Sequence, residues 1–360
     1  MKAQSPRRSP TLGKADPRRV APSEPGKALG RRWEGLVGPA LEGRVDAFIA
    51  RDPGAPSRSQ LKARDAVIAV NGKIVKPSHR VVPGDRVTVE WTAEEPSTLE
   101  AEDLPLSILF EDERVVVIDK AQGMVTHPGA GNRRGTLANA LLGHLRRKEA
   151  VLPSQMEALT RQPALRAGIV HRLDKETSGV IVAAKDLEAQ VFLSEQFKER
   201  SARKEYLAIV RGLPSPASGR ISDRLGRDRR DRKRFTSVVE GGRTAITDYR
   251  VLAYWRAPIR EGRGNEVAEA YALMSLRPKT GRTHQLRVHM AGLRTPIVGD
   301  PIYGKRDARF PEARLMLHAF RLKITLPGDS EPRLFRAPLP PRFGELLRDL
   351  ETAFGPRRRP

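Results

Sequence analysis

The chain has 360 residues, 66 of them Lys or Arg and 43 Asp or Glu, for a formal net charge of +23. That length accommodates two compact domains plus tails, while 39% hydrophobic residues and no apolar run near the roughly 20 residues that span a bilayer exclude an integral helical membrane protein. The absence of cysteine excludes a disulfide framework, a thiol nucleophile and a Cys-based zinc site, and the basic excess predicts a polyanionic partner, nucleic acid before acidic membrane.

Residues 1–35 are rich in Pro, Ser, Gly, Arg and Lys. Met1–Arg8 lacks the apolar segment of a secretory signal, which makes the cytosol the expected location. Between residues 1 and 32 nine Lys/Arg stand against two Asp/Glu. So little apolar surface does not offset the entropy of ordering, and the sequence predicts a disordered basic tail over 1–40. Such a tail either grazes RNA or merely keeps the protein soluble.

Residues 41–92 are patterned differently. Arg44–Ile49 predicts a short helix, and Ser57–Arg64 a second one with serines placed to cap it. Val67–Val75 predicts a hairpin, because Asn71-Gly72 sits between β-branched runs. Pro83-Gly84-Asp85 then turns the chain into a strand from Arg86 to Val89. Helix, basic helix, hairpin and strand in this order resemble an S4-type RNA-binding domain. The resemblance puts Arg58, Lys62, Arg64 and Lys73 on the side that faces phosphates; an ordinary solvated charged face is the plainer alternative. Residues 93–104 are acidic and lack apolar runs, so the domain boundary is expected there.

The larger domain is expected over 105–345, with a basic C-terminal tail over 346–360. Leu106–Lys120 predicts two strands joined by a Glu-Asp turn, followed by a Gly/Pro loop through His127-Pro128-Gly129 and a helix opening at Thr136. Residues 145–166 read as a surface connection. In Ile169–Lys185 two apolar runs flank a polar turn, a strand–loop–strand that exposes Asp174 between Arg172 and Lys175. An ionised Asp there is a usable nucleophile or ion-pair partner; a turn-capping salt bridge is the alternative.

Asp186 is placed to cap the helix that follows, and Arg203–Val210 predicts a strand carrying Tyr206. Residues 220–237 hold Arg220, Arg224, Arg227, Arg229, Arg230, Arg232, Lys233 and Arg234, read as a loop that tracks phosphates rather than one that is only solvated. Residues 256–268 predict a long hairpin loop. Tyr271–Arg277 predicts a strand, and Thr283 is placed to cap a helix with Leu286, Met290 and Leu293 on one face and His284 and Arg287 on the other.

The string His171-Arg172-Leu173-Asp174-Lys175-Glu176-Thr177-Ser178-Gly179 resembles the catalytic motif of the ribosomal large-subunit type of RNA pseudouridine synthases, the RluA family. Thr280-Gly281-Arg282-Thr283-His284-Gln285-Leu286-Arg287, His127–Asn132, Gly299–Gly304 and Leu317-His318-Ala319 resemble further motifs of the same family, so the likeness covers 42–345. Asp119 and Ala121 depart from it, standing where the family usually carries Asn and Pro.

The resemblance implies an α+β protein: a pseudouridine synthase fold with a mixed, mostly antiparallel sheet, plus a small N-terminal S4-like α/β RNA-binding domain. It implies that uridines of RNA, those of 23S rRNA stem-loops first, are isomerised to pseudouridine without cofactor or metal; a monomer is expected, with no sequence feature behind it. Another rRNA site, a tRNA, or a non-catalytic ribosome-assembly role are the alternatives. Asp174 is implied to be the nucleophilic or bond-breaking carboxylate, Arg287 its ion-pair partner, and Tyr206 the floor against the target base, against a reading of Tyr206 as a core aromatic. Arg172, His171, Arg282 and His284 are implied to contact substrate. His284, His289 and His318 read as hydrogen-bonding residues rather than metal ligands.

Overall fold

The protein is described by a computed structural model covering residues 30–360 apart from 40–41, 53, 57–60, 62–65, 93–98, 130, 149–165, 229, 232 and 258–268. The described residues form two compact units with the division at Glu95/Pro96.

The first unit contains β1 (Gly30–Leu36), β2 (Gly43–Arg44), α1 (Val45–Ile49), β3 (Val67–Val70), β4 (Lys73–Ile74), β5 (Arg80–Val81) and β6 (Arg86–Thr92). Its main sheet runs β1-β6-β3-β4, and β2 pairs with β5. The β3–β4 turn has Asn71 and Gly72 at φ 49° and 79°, the paired positive angles of a tight hairpin. Asn71 also accepts from the Arg86 amide and donates to Asp85, which ties the hairpin to β6. Along β6, Val87, Val89 and Trp91 alternate inward onto Val45, Ile49, Ile68 and Val70.

A disordered tail over 1–40 is corrected at its inner end, since Gly30–Leu36 is a strand paired with β6 along its whole length. The signal was Trp33, which packs edge-on against Phe48 and donates from Nε1 to Asp52. Most of the expected second helix lies outside the described residues.

The second unit contains β7 (Ser107–Glu111), β8 (Val115–Lys120), α2 (Leu137–Arg147), β9 (Ser178–Ala184), α3 (Leu187–Glu199), β10 (Arg203–Arg211), β11 (Ser218–Arg227), β12 (Phe235–Ser237), β13 (Arg243–Arg256), β14 (Ala270–Pro278), α4 (Gln285–Gly292), β15 (Leu317–Ile324), β16 (Arg333–Arg336) and α5 (Pro341–Phe354). Nine strands follow the order β12-β11-β13-β14-β10-β15-β9-β8-β7, and β16 pairs with β15. Every pairing in it is antiparallel except β9 with β15, so the sheet is mixed and mostly antiparallel.

Helices cover both faces where β8 and β9 lie, which explains their unbroken apolar runs. Val116, Ile118 and Ile181 pack with Leu137, Leu141 and Leu145 of α2; Val115, Val117, Val180 and Val182 pack with Ala189 and Leu193 of α3. Thr136 and Asn139 cap α2 reciprocally, and Asp186 caps α3 by accepting from the Ala189 amide, as the sequence predicts. A third cluster joins β10, β13 and β14 to α4 and α5 through Trp255, Tyr271, Met274, Met290 and Phe343.

Three expectations are revised here. The basic tail over 346–360 is helical to Phe354, with Leu346 and Leu350 buried, and Arg358 exchanges backbone hydrogen bonds with Tyr254. The arginine-rich segment 220–237 is largely a hairpin, β11 against β12, rather than a loop. Helix α4 is not capped by Thr283: His284 holds the N-cap position at φ 56°, and the side chains from Gln285 to Met290 are all buried, so the helix has no solvent face there.

Candidate active site

Asp174 sits in the turn that leads into β9. That turn is fixed from one side by the segment after β8. Thr126 Oγ1 donates to the Leu173 carbonyl, the Gly123 amide to the Lys175 carbonyl, and the Gln122 side chain to the Glu176 carbonyl. Lys120, fully buried, donates from Nζ to the carbonyls of Ala121, Met124 and Lys175 at 2.9, 2.8 and 3.3 Å. Burial pulls its ammonium down to about 8, with the charge of Asp174 partly opposing. The glycine of the Ser-Gly pair is also required: a Cβ on Gly179, at φ 114°, would stand 2.2 Å from the Ala319 carbonyl oxygen. Asp174 is thus carried on a backbone with little room to shift.

The turn opens onto a cleft of about 510 Å³. Its walls bring together Asp174, Tyr206 and Arg287, and also His171, Arg172, Arg282 and His284. Among the described residues, Arg172, Lys198, Arg200, Lys204, Lys279, Arg282 and Arg287 give the lining seven basic side chains, and Asp174 is its one acid. Field lines from such a wall favour a polyanion, while the single carboxylate stands out as the reactive group.

Asp174 is 20% exposed and lies 3.7 Å from Arg287 Nη1, so its ion-pair partner is this distant arginine. The guanidinium of Arg287 is itself 4% exposed and gives a bidentate pair of 2.7 Å hydrogen bonds to Asp300, which is completely buried. Burial alone would depress the arginine, but the hydrogen bonds and charge of Asp300, with Asp174 beyond, hold it above its ordinary range. Asp300 is fixed in turn by the amides of Ile302 and Tyr303.

Tyr206, on β10, is half-buried. Burial first, then the charge of Asp174, push its hydroxyl well above the usual phenol range, so it stays protonated. Its ring has the apolar face and polar tip suited to the wall of a wet cleft.

The other residues expected to contact substrate have duties inside the protein. His171 accepts from the Val182 amide through Nε2 at 3.0 Å and stacks on Phe197 at 4.4 Å. Burial, then nearby Lys204, drive it down to about 3, so the imidazole is neutral. Arg282 donates from Nε to the Thr244 carbonyl. His284 Nδ1 lies 2.9 Å from the Tyr303 hydroxyl, which also accepts from the Phe235 amide. Arg172 is exposed at the rim. His289 and His318 hydrogen-bond Thr247 and Ser178, in keeping with the structural reading of these histidines.

In the first unit, Lys73 is exposed on the β3–β4 hairpin, whereas Arg58, Lys62 and Arg64 lie outside the described residues. Asp300, Lys120 and Lys204 were not singled out from sequence. For Asp300 a signal existed, since a buried arginine demands a carboxylate.

Residues 114–292 match the family model described as RNA pseudouridylate synthase. The chain is 36% identical to a Borreliella burgdorferi protein named ribosomal large subunit pseudouridine synthase D, over 83% of this chain and 87% of that one. It is 39% identical to the protein of the same name from Vibrio cholerae, over 84% and 90%. The chain belongs to the RNA pseudouridine synthases. Among solved structures, human RNA pseudouridylate synthase domain containing 4 is similar with a TM-score of 0.51 and 26% identity, covering 71% of this chain and 94% of that one. The protein is therefore an isomerase that acts on RNA. Among the described residues no helix is long and apolar enough to cross a membrane.

Proposed function

We propose that this synthase converts uridines of 23S rRNA stem-loops to pseudouridine, with Asp174 as the carboxylate on which cleavage of the glycosidic bond depends. The relatives named for the large ribosomal subunit support the choice of RNA. The observation that carries the catalytic assignment is the Asp174–Arg287 ion pair at 3.7 Å, placed in a cleft where every other charged side chain is basic.

A stacked uridine hides its glycosidic bond, so the base must turn out of its stack at a cost of a few kcal/mol, least in a single-stranded loop. In this reading the cations of the cleft wall receive the strand, Tyr206 stacks on the everted base, and Arg172 at the rim lies beside the flipped nucleotide. Asp174, oriented by Arg287, meets the nucleoside. The bond from C1′ to N1 breaks, the uracil is turned while still held against Tyr206, and a bond from C1′ to C5 forms. The C5 proton leaves, N1 takes a proton, and the product is an isomer of the substrate. The exposed Lys73 hairpin and the β11–β12 arginines supply affinity through phosphates.

Pseudouridine mapping of total RNA from cells lacking the protein tests the reading. Loss of one or more 23S rRNA sites, restored by the wild-type gene but not by Asp174→Asn, is the expected result. Lost sites confined to tRNA would overturn the choice of substrate, and restoration by Asp174→Asn would overturn the catalytic assignment.

A further inference from the structure

Several buried cations among the described residues of the second unit have acceptors that account for them. Arg287 has Asp300, Lys185 has Glu111, and Lys120 has three backbone carbonyls. Lys204 differs. It lies on β10 in the wall of the cleft, half-buried, with Nζ 5.7 Å from the centre of the Phe197 ring. Among the described residues no carboxylate stands within ion-pair distance of it, and the one acid of the cleft is already engaged by Arg287. Burial accordingly draws its ammonium down to about 8.

An uncompensated ammonium in a cleft is costly unless a ligand supplies the charge. The ring of Phe197 offers only a weak quadrupole at that range. The missing partner is a full negative charge rather than a dipole, so uracil, which is neutral, does not satisfy it, whereas a phosphodiester does. Lys204 and Tyr206 are two positions apart on β10, about 7 Å along a strand. That spacing suits a base on the tyrosine and a phosphate of the same stretch of backbone on the lysine. Gly281 borders the same spot: a Cβ there would make ordinary contact with Lys204 Nζ at 3.8 Å.

We infer that Lys204 is the seat of a backbone phosphate, the phosphodiester that flanks the everted uridine. The inference rests on the reading of the cleft as an RNA site. Because the seat is only partly protonated at slightly alkaline pH before RNA arrives, the bound phosphate draws a proton onto it.

The test uses the full chain and an unmodified transcript of 23S rRNA, with affinity measured by filter binding across a series of KCl concentrations. Lys204→Met is expected to weaken binding about tenfold, the worth of one charge-assisted hydrogen bond. It should also flatten the slope of log affinity against log salt by about 0.7, one phosphate on a single strand. Lys204→Arg should keep the slope. Calorimetry of the wild type at pH 8.5 in two buffers of different ionisation heat should show proton uptake, smaller in Lys204→Met. Coincident affinity and slopes for wild type and Lys204→Met overturn the inference. Should Lys204→Met fail to fold, the wild-type calorimetry decides, and no proton uptake overturns it. Salt-independent binding by the wild type itself would instead remove the RNA reading and this inference with it.

Discussion

Arg287 donates from Nε and Nη2 to the two carboxylate oxygens of Asp300, at 2.7 Å each, and turns Nη1 to Asp174 at a longer 3.7 Å. The arrangement separates two tasks. Asp300 neutralises and aims the arginine inside the protein, which leaves the carboxylate of Asp174 only partly covered and able to meet substrate. Asp300→Asn keeps the shape but removes the charge, so a buried guanidinium loses its fixed partner. Unfolding free energy should fall by about 3 kcal/mol. Single-turnover isomerisation, measured well below the melting temperature, should fall about 100-fold through misaim of Arg287. Wild-type turnover in Asp300→Asn would show that the arginine needs no second carboxylate.

Asp174→Asn tests the other side of the pair. The amide cannot supply the carboxylate chemistry, so no pseudouridine should form on a 23S rRNA transcript. The turn should persist, because its hydrogen bonds come from Gly123, Thr126 and Lys120 to backbone carbonyls and not from the Asp174 side chain. The affinity of the variant for the transcript should match that of the wild type. Residual pseudouridine above background would remove Asp174 from the chemistry.

The cleft residue Tyr206 is read as a stacking surface, which predicts a difference between losing the ring and losing the hydroxyl. Tyr206→Ala should weaken transcript binding by about 1–3 kcal/mol, the worth of one base on an aromatic platform. Tyr206→Phe should bind as the wild type does. Because the hydroxyl is held above the usual phenol range by burial and by Asp174, wild-type activity should show no limb from phenol ionisation near pH 10. Equal binding by the Ala and Phe variants would end the stacking role.

Much of this was legible in the chain. The Asn71-Gly72 hairpin, the Asp186 cap and the unbroken apolar runs of β8 and β9 follow from local rules about turns, caps and burial. The motifs around Asp174 and Arg287 brought the two residues together on paper, 113 positions apart, and the structure brings them together in space. Local pattern could not supply second partners. A sequence shows Lys120 only as the basic end of an apolar strand, yet that lysine is buried because three carbonyls converge on it. Likewise β1 reads as tail, since its arginines dominate the composition. The strand forms because β6 offers it a complementary edge, with Arg86 2.9 Å from Glu34.

Lys120 leads to a further prediction. Lys120→Met fills a similar volume but brings no donor, leaving the carbonyls of Ala121 and Met124 without the bonds it gave them. Each such buried group costs about 1–3 kcal/mol. Because the third bond reaches Lys175, next to Asp174, the loss should extend to catalysis. The expected outcome is a lower melting temperature together with slower single-turnover isomerisation at saturating RNA. A variant destabilised by this amount yet turning over at the wild-type rate would show that the Lys175 bond does not position Asp174.

The last prediction concerns acid stability and Glu111, which ties the edge of the sheet to α2 and to the end of β9. Its carboxylate accepts from Lys148 at 2.9 Å, Lys185 at 3.1 Å and His144 at 3.0 Å. Burial would raise its pKa, but these three donors outweigh it and hold the group at about 2, below the ordinary 4.5. A carboxylate depressed on folding contributes stability that is fully present above the unfolded value and is lost as pH falls through the folded one. From pH 5 to pH 3 this group should therefore withdraw about 2 kcal/mol. Native-state hydrogen exchange of β8 and β9 amides at the two pH values measures it directly. Glu111→Gln should exchange faster than the wild type at pH 5 and lose less protection on going to pH 3. Parallel losses in the two proteins would place the acid sensitivity of this unit elsewhere.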